Sequence, residues 1–136
     1  MFGKVATLVA AERPHLLTNL ANNTATAKVD SAIRVFASAV GPLSHPKALE
    51  TAFKAYFNYT SSHADEVRKP LLYFVDFGLP STQPRGYIFD MNTMSVVEGP
   101  FTVAHGRGSS TTQYGIPTRF SNNPGSAMTS LGLYVA

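Results

Sequence analysis

Within six positions, His105-Gly106-Arg107-Gly108-Ser109-Ser110 gathers an imidazole, a guanidinium, two hydroxyls and two glycines. These are groups that can carry a proton, meet an anion and expose backbone amides to a ligand. Several chemistries are open to such a loop. With Ser109, Ser110 or Ser121 and with Asp76 or Asp90, His105 supplies the residue types of a serine triad, although the chain has no G-x-S-x-G elbow. The loop amides and Arg107 can instead cradle a phosphate or a peptide carboxylate, but the lysine and following helix of a P-loop are missing. The plainest alternative is a strand-end histidine hydrogen-bonded to its own loop. Elsewhere, His15, His45 and His63 are too dispersed for a metal site, and His63-Ala64-Asp65 is not ligand spacing. No metal and no cofactor is expected.

Composition narrows the chemistry further. The 136 residues contain no cysteine, which excludes disulfides, thiolate metal sites and a thiol nucleophile within this chain. At 44% hydrophobic and 14% charged, the sequence has the length and balance of one ordinary domain with a single core. The net charge of +3 suits an anionic partner, but the eleven Lys and Arg residues are scattered. No basic run of the nucleic-acid-binding kind results, so no nucleic acid is expected as a partner. No stretch approaches the roughly 18 apolar residues of a transmembrane segment. Met1 to Ala11 faintly resembles a short secretion signal, but Thr7 interrupts its apolar run and the expectation is an ordinary first helix. Asn22 and Asn58 open N-x-T sequons, which matter only along a eukaryotic secretory route.

The elements that must position the loop change character near residue 66. Val29, Ile33, Phe36, Ala37 and Val40 recur at spacings of three and four, predicting an amphipathic helix over 26–40 that Gly41 and Pro42 stop. A second helix is predicted over 46–59, with Ser44 or His45 at its cap and Leu49, Phe53, Tyr56 and Phe57 as its apolar stripe. Beyond these, Leu71 to Phe77, Tyr87 to Met91 and Ser95 to Ala104 read as an antiparallel three-stranded meander, with a tight turn at Asp90, Asn92 and Thr93. Apolar residues on both parities of Leu71 to Phe77 require cover on both faces of that strand. Asp76 within it needs a partner: Arg85 from the facing strand, or water at a strand end. A Gly-, Ser- and Asn-rich loop over 105–130 precedes a half-buried strand over 130–135. The fold class is α+β: a helical segment, residues 1–66, packed on a mainly antiparallel β-sheet formed by residues 67–136.

At this point the residues carry a resemblance. Val75-Asp76-Phe77-Gly78-Leu79-Pro80-Ser81-Thr82, with Arg85 and then Phe89-Asp90, resembles the opening of the murein L,D-transpeptidase catalytic-domain-like family. Val103-Ala104-His105-Gly106-Arg107-Gly108 resembles that family's next segment. Phe120-Ser121-Asn122, Pro124-Gly125-Ser126 and Ser130-Leu131-Gly132-Leu133-Tyr134 resemble the one after it. The likeness covers roughly Leu71 to Val135 in order, and the first half only loosely.

What the resemblance implies is acyl transfer on peptidoglycan stem peptides, in the cell envelope or periplasm. A cysteine thiolate attacks the amide between an L-centre and a D-centre, a histidine relays the proton, and backbone amides hold the oxyanion. The family's histidine-glycine and serine-glycine-cysteine blocks lie downstream of the matched segments, and this chain has neither a histidine after His105 nor any cysteine to supply them. The expectation is therefore the front part of an incomplete L,D-transpeptidase-like β domain, inactive alone, with an apolar strand edge at Val135 that favours association. By the same resemblance, His105, Arg107, Ser121 and Asn122 are the expected substrate-binding residues. The plain reading of Ser121, Asn122 and Asn123 before Pro124-Gly125 is turn formation. Two further classes stay open: a non-catalytic cell-wall peptide-binding module, and an unrelated small β-rich interaction protein.

Overall fold

Alternating and two-faced apolar runs force strands to find cover, and the computed structural model, which describes residues 6–10, 22–112 and 114–136, shows how. Strands β1 (Ala6–Ala10), β2 (Leu71–Asp76), β3 (Gly86–Asp90), β4 (Ser95–Phe101) and β5 (Gly132–Val135) form one five-stranded sheet in the order β4-β3-β2-β1-β5. Helices α1 (Asn22–Phe36) and α2 (Ala48–Ser62) lie between β1 and β2 in sequence. The three-stranded meander β2-β3-β4 is antiparallel, as the sequence predicts. Because β1 and β2 run parallel, with Leu8 opposite Phe74, the two helices form the crossover that parallel neighbours require. The fold is α+β.

The first helix expected over Met1 to Ala11 is corrected by this arrangement: Ala6–Ala10 is a strand between β2 and β5. A central strand reads as a short unbroken apolar run, which periodicity alone does not separate from a helical segment. Residues 1–5 and 11, the rest of that stretch, lie outside the described residues.

Both amphipathic stripes face the sheet. Val29, Ala32 and Phe36 of α1 are buried, as are Leu49, Ala52, Phe53 and Tyr56 of α2. They pack on Leu72, Phe74, Tyr87 and Phe89, with the Phe89 ring 4.4 Å from that of Phe36 and 5.9 Å from that of Phe53. Truncating one such buried aromatic costs about 3–5 kcal/mol. Helix α1 ends four residues short of the predicted Val40, in a turn over 37–39, while Val40 still packs on the core. Neither Ser44 nor His45 caps α2: Lys47 holds that position without a side-chain hydrogen bond.

Strand β2 is covered on both faces, as predicted. Leu72 and Phe74 belong to the helix-facing core, whereas Val75 and Phe77 form a second cluster with Tyr73, Val103, Phe120 and Leu131. That second face is roofed by the long connection between β4 and β5, which brings the candidate loop onto the sheet. Strand β4 stops at Phe101, short of the predicted Ala104. Arg85 N donates to Phe101 O at 2.9 Å, but the next available carbonyl, Val103 O, turns onto the Arg85 side chain.

Candidate functional site

An arginine entering a sheet must satisfy five N–H donors away from water, and Arg85, fully buried just before β3, does so almost entirely with backbone. Its Nε donates to Val103 O at 2.9 Å and Nη1 to Leu79 O at 2.7 Å; Nη2 also meets Val103 O. The guanidinium carbon stands 4.7 Å from the centre of the Phe77 ring, a cation–π contact. Burial lowers the Arg85 pKa and the charge of Asp76 raises it. The remaining Nη2 contact is to His105 Nδ1 at 3.1 Å.

Neither outcome weighed from the sequence for Asp76 and Arg85 occurs. The two share a ladder bond, Asp76 N to Arg85 O at 2.9 Å, but no side-chain ion pair. The Asp76 carboxylate accepts instead from Ser44 Oγ at 2.6 Å, Ser44 N at 2.8 Å and Gly78 N at 3.1 Å. This ties the link between α1 and α2 to the end of β2, next to Phe77. Tyr87 does the same from β3, its hydroxyl oxygen accepting Gly41 N at 2.7 Å.

The contact with Arg85 decides how His105 is protonated. A guanidinium has only donors, so Nδ1 must offer its lone pair, and a neutral ring then carries its proton on Nε2. Partial burial and the neighbouring positive charge both lower the His105 pKa, which favours that neutral form. Nε2 makes no hydrogen bond among the described residues, and the side chain is half-buried. The strand-end reading of His105 is corrected on both counts: β4 already ends at Phe101, and the partner of the ring is Arg85, not its own loop.

Following His105, the backbone is committed inward. Gly106 N donates to Thr129 Oγ1 at 2.8 Å, Gly108 N to Ala127 O at 2.9 Å and Ser109 N to Gly106 O at 2.9 Å. A Cβ on Gly106 would sit 2.4 Å from Ala127 O, so only glycine fits. Ser109 is fully buried; its Oγ accepts Thr129 N at 2.8 Å and its carbonyl accepts Thr118 N and Arg119 N. These bonds take the Gly106, Gly108 and Ser109 amides out of the anion cradle, which leaves its side-chain member, Arg107. The serine triad is overturned. Ser109 is sealed in the loop core, the Ser110 and Ser121 hydroxyls accept Thr112 N and Asn123 N, His105 Nδ1 faces Arg85, Asp76 serves Ser44, and Asp90 accepts from Asn92 N and Thr93 N in the β3–β4 turn.

Of the other expected binding residues, Arg107 is exposed and its side chain makes no hydrogen bond or ion pair among the described residues. Ser121 and Asn122 act first as turn formers: Ser121 Oγ accepts Asn123 N at 3.1 Å and Asn122 Oδ1 accepts Leu131 N at 3.2 Å. Both blocks nevertheless meet at one residue. Thr129 accepts Gly106 N on its hydroxyl, donates its own N–H to Ser109 Oγ, and accepts Ser121 N on its carbonyl at 3.1 Å. The His105 and Ser121 segments are thereby fixed to one another across the second face of the sheet.

A family model described as the L,D-transpeptidase catalytic domain matches residues 42–136. The chain belongs to that family. No curated protein and no solved structure matches it. The L,D-transpeptidase match takes in α2, the meander, the loop cluster and β5, and begins beside Ser44, so the Ser44–Asp76 clamp lies inside it. Family roles lie in peptidoglycan and the cell wall. Within this L,D-transpeptidase chain there is no cysteine, and among the described residues no cluster of three His, Asp or Glu side chains is placed to hold a metal. No described helix is long and apolar enough to cross a membrane.

Sequence reasoning missed Thr129 and the Arg85–His105 contact. Thr129 sits in a mixed stretch, Ser126-Ala127-Met128-Thr129-Ser130, where nothing in the residue types or their spacing marks the threonine out. For Arg85, an ion pair with Asp76 is the usual solution for a buried charge. Here three backbone-carbonyl contacts and an imidazole nitrogen do the work instead.

Proposed function

We propose that this chain is the substrate-facing front of an L,D-transpeptidase acting on peptidoglycan stem peptides in the cell envelope or periplasm, with the acyl-transfer nucleophile outside these 136 residues. One observation carries the reading: the L,D-transpeptidase match runs over residues 42–136 of a chain without a thiol. The family's covalent chemistry needs a thiolate, so what remains for these residues is to bind and orient. His105, Arg107, Ser121 and Asn122 are the stem-peptide contacts in this reading. Arg107 offers a free bidentate fork to a carboxylate, and the Thr129 junction supports holding the Ser121 and His105 segments as one surface.

The direct experiment is titration of the chain with a synthetic stem peptide, followed by amide NMR. Saturable shifts around residues 103–108 and 120–131 are expected, with Arg107→Ala weakening binding roughly tenfold, about 1.4 kcal/mol. Shifts confined to other faces, or no binding, would count against the reading.

A non-catalytic peptide-binding module is the second reading, and one observation favours it. Among the described residues, every buried side-chain polar atom has a hydrogen-bond partner, so the loop cluster is satisfied without catalytic blocks. Sequencing the coding region past Ala136 separates the two. A histidine-glycine block and then a serine-glycine-cysteine block supports the first reading, and a stop codon the second.

A further inference from the structure

The buried guanidinium of Arg85 spends one of its donors on a ring nitrogen when the surrounding backbone offers carbonyls. That choice has a chemical consequence at the other side of the ring. With Nδ1 held 3.1 Å from Nη2, the opposite tautomer would set N–H against N–H, and an imidazolium would set cation against cation. We propose that Arg85 is a positioning residue which holds His105 as the neutral Nε2–H tautomer, making its outer nitrogen a fixed hydrogen-bond donor for a carboxylate oxygen of a bound peptide.

Three observations support this. First, the lock is rigid. Arg85 is fully buried, bound to Leu79 O and Val103 O, and packed on the Phe77 ring. One of those anchors, Val103 O, takes both Nε and Nη2 and lies in the segment leading directly to His105, so ring and guanidinium are placed by the same stretch of backbone. Second, the donor is open. His105 is half-buried and Nε2 has no partner among the described residues. Third, the local charge is positive. Asp76 lies near enough to act on Arg85, but its carboxylate is bound to Ser44 and Gly78 and forms no ion pair with the guanidinium. A ligand oxygen at Nε2 therefore meets both a hydrogen-bond donor and a cation behind the ring, which favours a carboxylate over a neutral carbonyl. The same geometry excludes His105 as a general base while the lock is closed, because the one basic lone pair faces Arg85.

The ligand half of this inference rests on the stem-peptide reading above, whereas the tautomer half does not. Nitrogen-15 NMR of the imidazole in the ligand-free chain decides the tautomer. The expected spectrum at neutral pH has a protonated, pyrrole-type Nε2 and an unprotonated, pyridine-type Nδ1. A protonated Nδ1, an imidazolium or an even tautomer mixture overturns the lock, and this needs no variant to fold. In Arg85→Met, checked for folding by its amide spectrum, the tautomers should mix, a change that a purely structural role would not produce.

The donor role is read with a synthetic stem peptide bearing a free C-terminal carboxylate and with the same peptide amidated. His105→Ala should weaken the carboxylate form about tenfold and the amide much less, while His105→Gln, which keeps an acceptor and a donor, should stay within about threefold of wild type. Equal losses for both peptides, or none, overturn the carboxylate assignment. If the wild-type chain binds neither peptide, the proposed function and the ligand assignment fall together, and the nitrogen spectrum still judges Arg85.

Discussion

Asp76 grips Ser44 with both oxygens, Oδ1 on the hydroxyl at 2.6 Å and Oδ2 on the backbone N–H at 2.8 Å. A buried carboxylate at the end of a strand thus anchors the link that enters α2, and it also accepts Gly78 N at 3.1 Å. Removing it takes the acceptor from two backbone donors, Ser44 N and Gly78 N, as well as from the Ser44 hydroxyl. Asp76→Ala is expected to lower stability by about 2–4 kcal/mol, and Ser44→Ala, which loses only the hydroxyl bond, by about 1 kcal/mol. Urea unfolding midpoints at neutral pH measure both. Equal effects would show that the backbone bonds contribute nothing.

Gly78 completes the same clamp from the other side. A Cβ there would lie 2.1 Å from Ser44 Oγ and 2.4 Å from Ser44 Cβ, so Gly78→Ala must push Ser44 off Asp76. The expected cost is about 1–3 kcal/mol. Since the collision is with the serine side chain, adding Ser44→Gly should recover part of that loss, and a double-mutant cycle should show coupling above about 0.5 kcal/mol. Additive effects would place the strain elsewhere.

The fold was legible where one signal dominated. The 3.6-residue stripes through Val29 and Phe36 and through Leu49 and Phe53, and the apolar strand runs between Leu71 and Phe101, survive into the structure because burial is their only function. Ala6–Ala10 was not legible, since five residues of a doubly flanked strand carry no period that a helix lacks. At the site, residue types brought His105 and Ser121 to notice, but their roles depend on who donates to whom. That is set by Arg85 and Thr129, which reach them across 20 and 8 residues of chain. Such long-range pairings leave no local trace. For the same reason the triad composition around Ser109 misled: the serine's partners lie at Thr118, Arg119 and Thr129, and they bury it.

Protonation of His105 links the site to stability. Its folded pKa lies below the ordinary 6.5, through burial first and the Arg85 charge second. The unfolded chain therefore takes up this proton more readily than the folded one. The corresponding stability is present above the unfolded value and is lost as pH falls from about 6.5 through the folded pKa. Glu50 and Asp90 are also held low, by the Lys54 hydrogen bond and by the turn amides of Thr93 and Asn92, and they act below their ordinary values of 4.5 and 3.8. Between pH 5 and 6.5, denaturant midpoints of the wild type should rise with pH, and His105→Gln should flatten that slope. An unchanged slope in the variant would assign it to another group.

Acyl transfer is where family and chain part. The L,D-transpeptidase reaction by the family's route forms a thioester on cysteine, and the chain has none. A serine replacing it would need an adjacent free base. Ser109 is fully buried with its oxygen on Thr129 N, and Ser121 Oγ is occupied by Asn123 N. His105, with Nδ1 turned to Arg85, has no lone pair to give either of them. The 136-residue chain is therefore expected to turn over no stem peptide, while still binding it. Incubation with muropeptide donor and acceptor, followed by mass spectrometry of both protein and peptides, tests this. Cross-linked product or an acyl adduct on any serine would show a nucleophile that the hydrogen-bond network leaves no room for. Binding without product, weakened by Arg107→Ala, is the outcome expected of a surface that orients a peptide for a nucleophile supplied from outside these residues.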